Sequence, residues 1–326
     1  MEKFNQPIWE TKEYNYPMAF GFVPNITAYL HEDEEVRPCI IVVPGGGYCV
    51  VSPSEGEIVA KKFYEMGYQT FVLTYTTNLL MAVPLMDQPM KDLSRAIRII
   101  RCNAEKYRVN PDKVAVCGFS AGAHLCGSVC VHFEDIKDES EAYQKFSNRP
   151  DAAILSYPVI TSGEFAHQGS FQALLGQDIY EKSESGQLDY MSLEKHVTPD
   201  TPPCFLWQTV DDETVPVENS ELFAKACKKQ NVPFAYHVFS KGKHGSSLAD
   251  ETWAACQFGE PYTMAQTFGI IEAIKNGTLP VPEEAKKMLL SQFDFTDENR
   301  EVSHGEVLPE VTRWPELAKQ WLKIYL

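Results

Sequence analysis

The 326-residue sequence is short of positive charge. Its 29 Lys and Arg stand against 45 Asp and Glu, a formal net charge of −16, with an isoelectric point near 5.0. Nucleic acid or an anionic membrane surface is held by a clustered basic excess, so neither is an expected partner, and a small neutral substrate is. Long hydrophobic runs are missing as well. No stretch approaches the roughly eighteen apolar residues of a membrane span. The opening MEKFNQPIWETKEYNYP has no basic region leading into an apolar one, which predicts a cytoplasmic protein. Nine cysteines are present, yet none forms a CxxC pair or a metal-ligand spacing. Most sit inside apolar runs, so buried thiols are expected rather than a disulfide framework or a zinc site, and no metal or other cofactor is implied. Internal repeats and low-complexity tracts are absent too.

What is present is an ordinary globular composition, 44% hydrophobic and 12% aromatic, enough to bury one large core. Short β-rich runs recur at residues 39–43 (CIIVV), 69–75 (QTFVLTY), 113–117 (KVAVC), 152–157 (AAILSY), 204–209 (CFLWQT) and 234–239 (FAYHVF). Between them lie helical spacings, the clearest being Met90, Leu93, Ile97 and Ile100. Strands apolar on both faces that alternate with helices predict an α/β fold, a mostly parallel central sheet with helices on both faces. Ahead of this, IWETKEY and NITAYLH alternate like an antiparallel strand pair. The cluster His31-Glu32-Asp33-Glu34-Glu35 that follows is read as a solvated turn rather than a metal site. Residues 158–203 contain no convincing strand and are expected to form a small cap insertion over the sheet. Residues 250–310 are an atypical C-terminal segment. A final amphipathic helix carries Trp314, Leu317, Trp321 and Tyr325, with Pro315 in its first turn. The whole chain, 1–326, is expected to be one domain.

The chemistry is concentrated at four strand ends. Gly118-Phe119-Ser120-Ala121-Gly122 follows KVAVC and leads into small and apolar residues suited to a helix. At such a junction the turn is tight, the flanking glycines leave room for it, and the serine hydroxyl stands exposed at the positive end of the helix. Ser120 is the candidate nucleophile. Cys117 and Cys126 flank it, but their apolar neighbours suit inert thiols. A serine needs a base and a carboxylate to orient that base. After CFLWQT, Asp211 and Asp212 both fit the carboxylate, with Asp212 preferred because a D-x-x-V-P arrangement begins there. After FAYHVF, His244 in Lys243-His244-Gly245 is the candidate base; His304, also followed by glycine, is the second choice. His237, within a strand, and His124, on the elbow helix, are expected to be structural. Pro44-Gly45-Gly46-Gly47-Tyr48 follows CIIVV and lacks the Lys-Ser/Thr of a P-loop, so Gly46, Gly47 and the Ala121 amide are candidate oxyanion donors. Tyr48 and the insertion's aromatics are candidates for stacking on sugar, with burial in the core the equal alternative for each. Ser192-Leu193-Glu194-Lys195 matches an S-x-x-K pattern, but its companion motifs are missing, so the match is read as coincidence.

These elements, in the order Ser, Asp, His, resemble the α/β-hydrolase superfamily, and within it the bacterial acetyl xylan esterases and bifunctional feruloyl and acetyl esterases. The resemblance runs through IIVVPGGGY, VAVCGFSAGAHL, RPDAAILSYPVIT, QTVDDETVPVENS and GKHG, and so covers about residues 39–247. It implies nucleophile Ser120, acid Asp212, base His244, a glycine-rich oxyanion loop and no cofactor. It further implies a serine carboxylic-ester hydrolase that removes acetyl groups from xylo-oligosaccharides or similar acetylated sugars. The alternatives are a general short-chain carboxylesterase, a feruloyl esterase, or a non-catalytic binding protein on the same fold. A homodimer is common among such esterases. The chain departs from many relatives in having Pro44 ahead of the oxyanion glycines, Gln208 near a common histidine position, and Ala123 where a second glycine is common.

Overall fold

Each central strand is buried on both sides, and successive residues go to opposite faces, as the two-residue period of a strand requires. In β3 (Arg37–Val43), Cys39, Ile41 and Val43 join one hydrophobic cluster, and Ile40 and Val42 the other. The computed structural model describes residues 1–181, 186–293 and 305–326. Its sheet has the order β1-β2-β4-β3-β5-β6-β7-β8. The further strands are β1 (Glu2–Pro7), β2 (Asn25–Leu30), β4 (Gln69–Thr74), β5 (Val109–Phe119), β6 (Ala152–Ser156), β7 (Cys204–Thr209) and β8 (Phe234–Phe239). From β4 to β8 every neighbouring pair is parallel, while β1–β2 and β2–β4 are antiparallel.

The antiparallel pair lies elsewhere than the alternation predicts. Residues 2–7, not 8–14, form its first strand, paired with 25–30. The reason is its place at the sheet edge: EKFNQP is largely exposed and polar, a composition that protects an edge and leaves little hydrophobic signal. Trp9, from the expected strand, instead donates its indole N–H to Asp92 at 2.7 Å. The acidic cluster at 31–35 is a turn. The His31 ring stacks on Tyr64, and Asp33 and Glu35 both pair with Arg37.

Two layers of helices cover the sheet. On one face lie α1 (Glu57–Glu65) and, far along the chain, α12 (Trp314–Tyr325), whose Trp314, Ala318, Trp321 and Leu322 pack with Ile58, Val59 and Phe63. On the other lie α2 (Gln88–Cys102), the short α3 (Ala104–Tyr107), α4 (Ala121–His132) and α8 (Glu218–Gln230). Between β6 and β7 come α5 (Gln168–Leu175), α6 (Gln177–Glu181) and α7 (Gly186–Tyr190), which accounts for the missing strand signal there. After β8 come α9 (Glu251–Ala254), α10 (Ala265–Lys275) and α11 (Glu283–Phe293). Helix α10 is tied to the β4 end through Gln266, whose Oε1 accepts from the Thr77 amide at 2.8 Å. All nine cysteines are free thiols, and among the described residues no helix is long and apolar enough to cross a membrane.

Candidate active site

Because β3, β5, β7 and β8 run parallel, their carboxyl ends share one edge of the sheet, where an open α/β sheet presents its loops to ligands. At the end of β5, Ser120 has φ +52° and ψ −118°, a conformation that a non-glycine residue holds only where its surroundings force it. The Gly118–Gly122 framing follows from close approach. A Cβ on Gly122 would lie 2.7 Å from the Pro44 carbonyl carbon, and closer still to the Val43 and Pro44 oxygens. One on Gly118 would lie 2.6 Å from the Ala123 Cα. The Ser120 amide is taken by the Ser156 carbonyl at 3.0 Å, so only the hydroxyl is left to act.

That hydroxyl lies 2.7 Å from His244 Nε2, and His244 Nδ1 lies 2.7 Å from Asp212 Oδ2. A carboxylate only accepts, so Nδ1 carries the hydrogen and Nε2 presents its lone pair to the Ser120 hydroxyl. Asp212 is fixed in turn by the Thr214 and Val215 amides, at 3.0 and 2.9 Å on Oδ1. Its neighbour Asp211 points elsewhere and accepts the Gly242 amide at 2.7 Å, anchoring the base of the histidine loop. Thr209 adds a second anchor by donating to the Gly242 carbonyl. Gln208, at the common histidine position, braces the acid loop: its Nε2 donates to the Val215 carbonyl and its Oε1 accepts from Ser220.

The glycine loop after β3 presses on the serine, for a Cβ on Gly45 would sit 2.9 Å from the Ser120 Cβ. Gly46 has φ +120° and no room for a side chain beside Val50. Among the described residues, the Gly46, Gly47 and Ala121 amides have no hydrogen-bond partner. The Gly45 amide does, and its partner has no counterpart in the sequence reading. Glu55, 3% exposed, accepts from Gly45 N at 2.7 Å and from the Tyr157 hydroxyl at 2.6 Å. Tyr157 also accepts from the Ser247 amide and sets its ring edge-on to His244 at 4.9 Å. Burial pushes the Glu55 carboxyl up, while these hydrogen bonds and the His244 charge pull it back. One carboxylate thus ties the glycine loop to the histidine loop.

Tyr48 is not a stacking surface. It is 1% exposed, set edge-on to Tyr75 and His124, with its hydroxyl 2.8 Å from His124 Nδ1. His124 Nε2 faces the Met191 carbonyl at 2.9 Å and must donate to it, so Nδ1 accepts and Tyr48 donates. Complete burial lowers His124 to about 4, which keeps it neutral. Its place is behind the glycine loop, as a structural residue. His237 packs on Phe205, and His304 lies outside the described residues. Ser192 pairs with Ser162, and Lys195 with Asp189, so the S-x-x-K pattern builds no site. Cys117 and Cys126 are fully buried, and burial pushes both thiols well up, the reverse of what a nucleophilic thiolate needs.

A residue absent from the sequence reading stands across from the glycine loop. His167, preceding α5, places Cε1 4.0 Å from where Gly47 would carry a Cβ, and its Nδ1 meets Ser170 Oγ at 2.8 Å. Beside the histidine loop on another side is a cavity of about 730 Å³, walled by Lys243, Gly245, Trp253, Phe258 and Leu308. It draws on both the histidine loop and the segment after residue 250.

The family model BD-FAE matches residues 27–227. The chain belongs to the BD-FAE family. Endo-1,4-beta-xylanase B of Butyrivibrio fibrisolvens is 49% identical to it over 267 residues, 82% of this chain and 41% of that protein. An acetylxylan esterase of Xylanibacter ruminicola is 29% identical over 249 residues, 74% of this chain and 47% of its own length. The chain therefore spans less than half the length of either relative. Among solved structures, an acetyl ester-xyloside bifunctional hydrolase from Caldicellulosiruptor lactoaceticus is 36% identical. It matches with a TM-score of 0.69 over 85% of this chain and 97% of that one. The carboxylesterase Cest-2923 of Lactobacillus plantarum, 22% identical with a TM-score of 0.66, shares the fold. An alpha/beta hydrolase from a deep-sea metagenome library does so too, at 22% identity and a TM-score of 0.63. This BD-FAE member has the α/β-hydrolase fold, with an eight-stranded, mostly parallel sheet.

Proposed function

We propose that the protein is a serine carboxylic-ester hydrolase that removes acetyl groups from xylo-oligosaccharides or similar acetylated sugars. The observation that carries this reading is the pair of 2.7 Å contacts placing His244 between Ser120 and Asp212. His244 takes the Ser120 proton as the oxygen attacks the acyl carbon, and Asp212 stabilises the imidazolium that forms. The negative oxygen of the tetrahedral intermediate is received by the Gly46, Gly47 and Ala121 amides, the last at the positive end of α4. His244 then protonates the departing sugar oxygen, leaving an acetyl group on Ser120, and a water activated by the same imidazole releases acetate. Support for a sugar as the alcohol comes from the relatives, two of which are named for acetylxylan or acetyl ester-xyloside substrates. No step calls for a metal or an organic cofactor. We place the reaction in the cytoplasm, a reading supported by nine cysteines that form no disulfide.

The test is acetate release from acetylated xylo-oligosaccharides by the wild type and by Ser120→Ala, beside p-nitrophenyl acetate and octanoate. Fast release from the sugar that is lost in the variant is the expected result. Activity confined to the artificial esters would discard the sugar and favour a general short-chain carboxylesterase. Undiminished release by Ser120→Ala would end the serine mechanism.

A further inference from the structure

We propose that His167 recognises the alcohol half of the substrate by hydrogen-bonding the sugar hydroxyl adjacent to the acylated oxygen. The inference rests on the deacetylase reading above. His167 is carried by the segment between β6 and β7, outside the strand ends that supply Ser120, Asp212, His244 and the glycine loop. Its ring lies over the open side of Gly47, with Cε1 and Ser170 Oγ each 4.0 Å from the position of a Cβ there. The charges of both His244 and Asp212 act on this imidazole.

The ring is held and its outward face is defined. Ser170 is 1% exposed, and its hydroxyl has no partner other than His167 Nδ1 among the described residues. Nδ1 is the acceptor within reach of this hydroxyl, and with Ser170 donating to it the ring hydrogen is on Nε2. Among the described residues Nε2 has no partner. Burial lowers the affinity of His167 for a second proton and the His244 charge lowers it further, against a smaller opposing pull from Asp212, so the neutral ring is favoured. A fixed, neutral N–H donor beside the glycine loop suits the oxygen of a hydroxyl on the carbon next to the ester. Such a donor is of no use to a leaving group without that hydroxyl. Sites that hydrogen-bond a substrate hydroxyl discriminate against analogues lacking it, because their own polar group is then left unpaired.

The test compares kcat/KM for wild type, His167→Ala and His167→Gln on an acetylated xylo-oligosaccharide and on p-nitrophenyl acetate, whose leaving group has no hydroxyl. His167→Ala is expected to lose about tenfold or more on the sugar and to keep p-nitrophenyl acetate hydrolysis within about threefold. His167→Gln, which can still donate, is expected to recover part of the loss on the sugar alone. Equal losses on both substrates would mean that His167 only supports the loop, and an unchanged rate on the sugar would mean that it does not touch substrate; either result overturns the inference while leaving the deacetylase reading intact. A wild type that hydrolyses p-nitrophenyl acetate but releases nothing from the sugar overturns both.

Discussion

Asp211 and Asp212 are identical side chains one residue apart, and the turn after β7 sends them in different directions. Asp212 Oδ2 meets the imidazole while its Oδ1 is filled by two amides. Among the described residues, Asp211 accepts only the Gly242 amide. An amide in place of the Asp212 carboxylate removes the negative charge and turns a donor toward Nδ1, which favours the wrong tautomer. Asp212→Asn is therefore expected to lower kcat on p-nitrophenyl acetate by about 10³-fold or more. Asp211→Asn keeps an oxygen for Gly242 and is expected to stay within about tenfold. Steady-state kinetics of the two variants decide the matter, and the opposite ranking would give the acid's place to Asp211. Sequence alone prefers Asp212 on its D-x-x-V-P arrangement and keeps Asp211 as the alternative, since each follows the same strand. The direction of each carboxylate separates them in space. Ser120 and His244 were legible because each ends or follows an apolar strand beside glycine. Glu55, His167 and Ser170 were not, for their positions depend on how distant segments fold back onto the sheet edge. Tyr48 is open between sugar stacking and the core in the sequence for the complementary reason: a ring next to a glycine loop points inward or outward according to what packs behind it.

Helix α4 shows what an element adds to the site it begins. Its first residue supplies the Ala121 amide, and its first turn carries His124, which keeps Tyr48, and with it the glycine loop, in place. The helix is almost entirely buried, so the imidazole is held neutral, with an affinity for protons lowered from 6.5 to about 4. Between those two values the unfolded chain binds a proton at this position that the folded chain does not. Stability from this group is complete above about pH 6.5, falls as the pH drops toward 4, and levels off below that. At about pH 5 the loss amounts to roughly 2 kcal/mol. Urea unfolding at about pH 7 and pH 5 is expected to show a smaller pH-dependent loss for His124→Gln than for the wild type. Equal losses would mean that His124 is protonated in the fold. At this scale the parallel strands were readable, because burial on both faces makes each a continuous apolar run. The edge strand β1 was not, because its exposed polar residues resemble a loop.

Across the whole molecule, the two sides of the site are joined from beneath by a chain of buried polar contacts. Gly45 leads to Glu55, Glu55 to Tyr157, and Tyr157 to the Ser247 amide. The Ser247 carbonyl in turn accepts from the Trp314 indole at 2.9 Å. Trp314 belongs to the last helix, where it stacks on Trp207 of β7. The C-terminal helix thereby helps to hold a histidine loop some 70 residues earlier in the chain, the separation being that between His244 and Trp314. Each link from Gly45 to Trp314 has its donor and acceptor, while Ser247 Oγ and Trp207 Nε1 beside it are buried with no partner among the described residues. The same architecture brings four strand ends to one edge, and the segments after β6 and β8 add His167 and the cavity beside His244. The central claim is that this assembly works by transferring the acyl group to Ser120. The most direct test is to quench the wild type with acid during turnover of p-nitrophenyl acetate and map the modified peptide by mass spectrometry. An acetyl group on Ser120, absent from Ser120→Ala, is the predicted result. Steady turnover with an acetyl group on another residue, or an unimpaired Ser120→Ala protein, would contradict it.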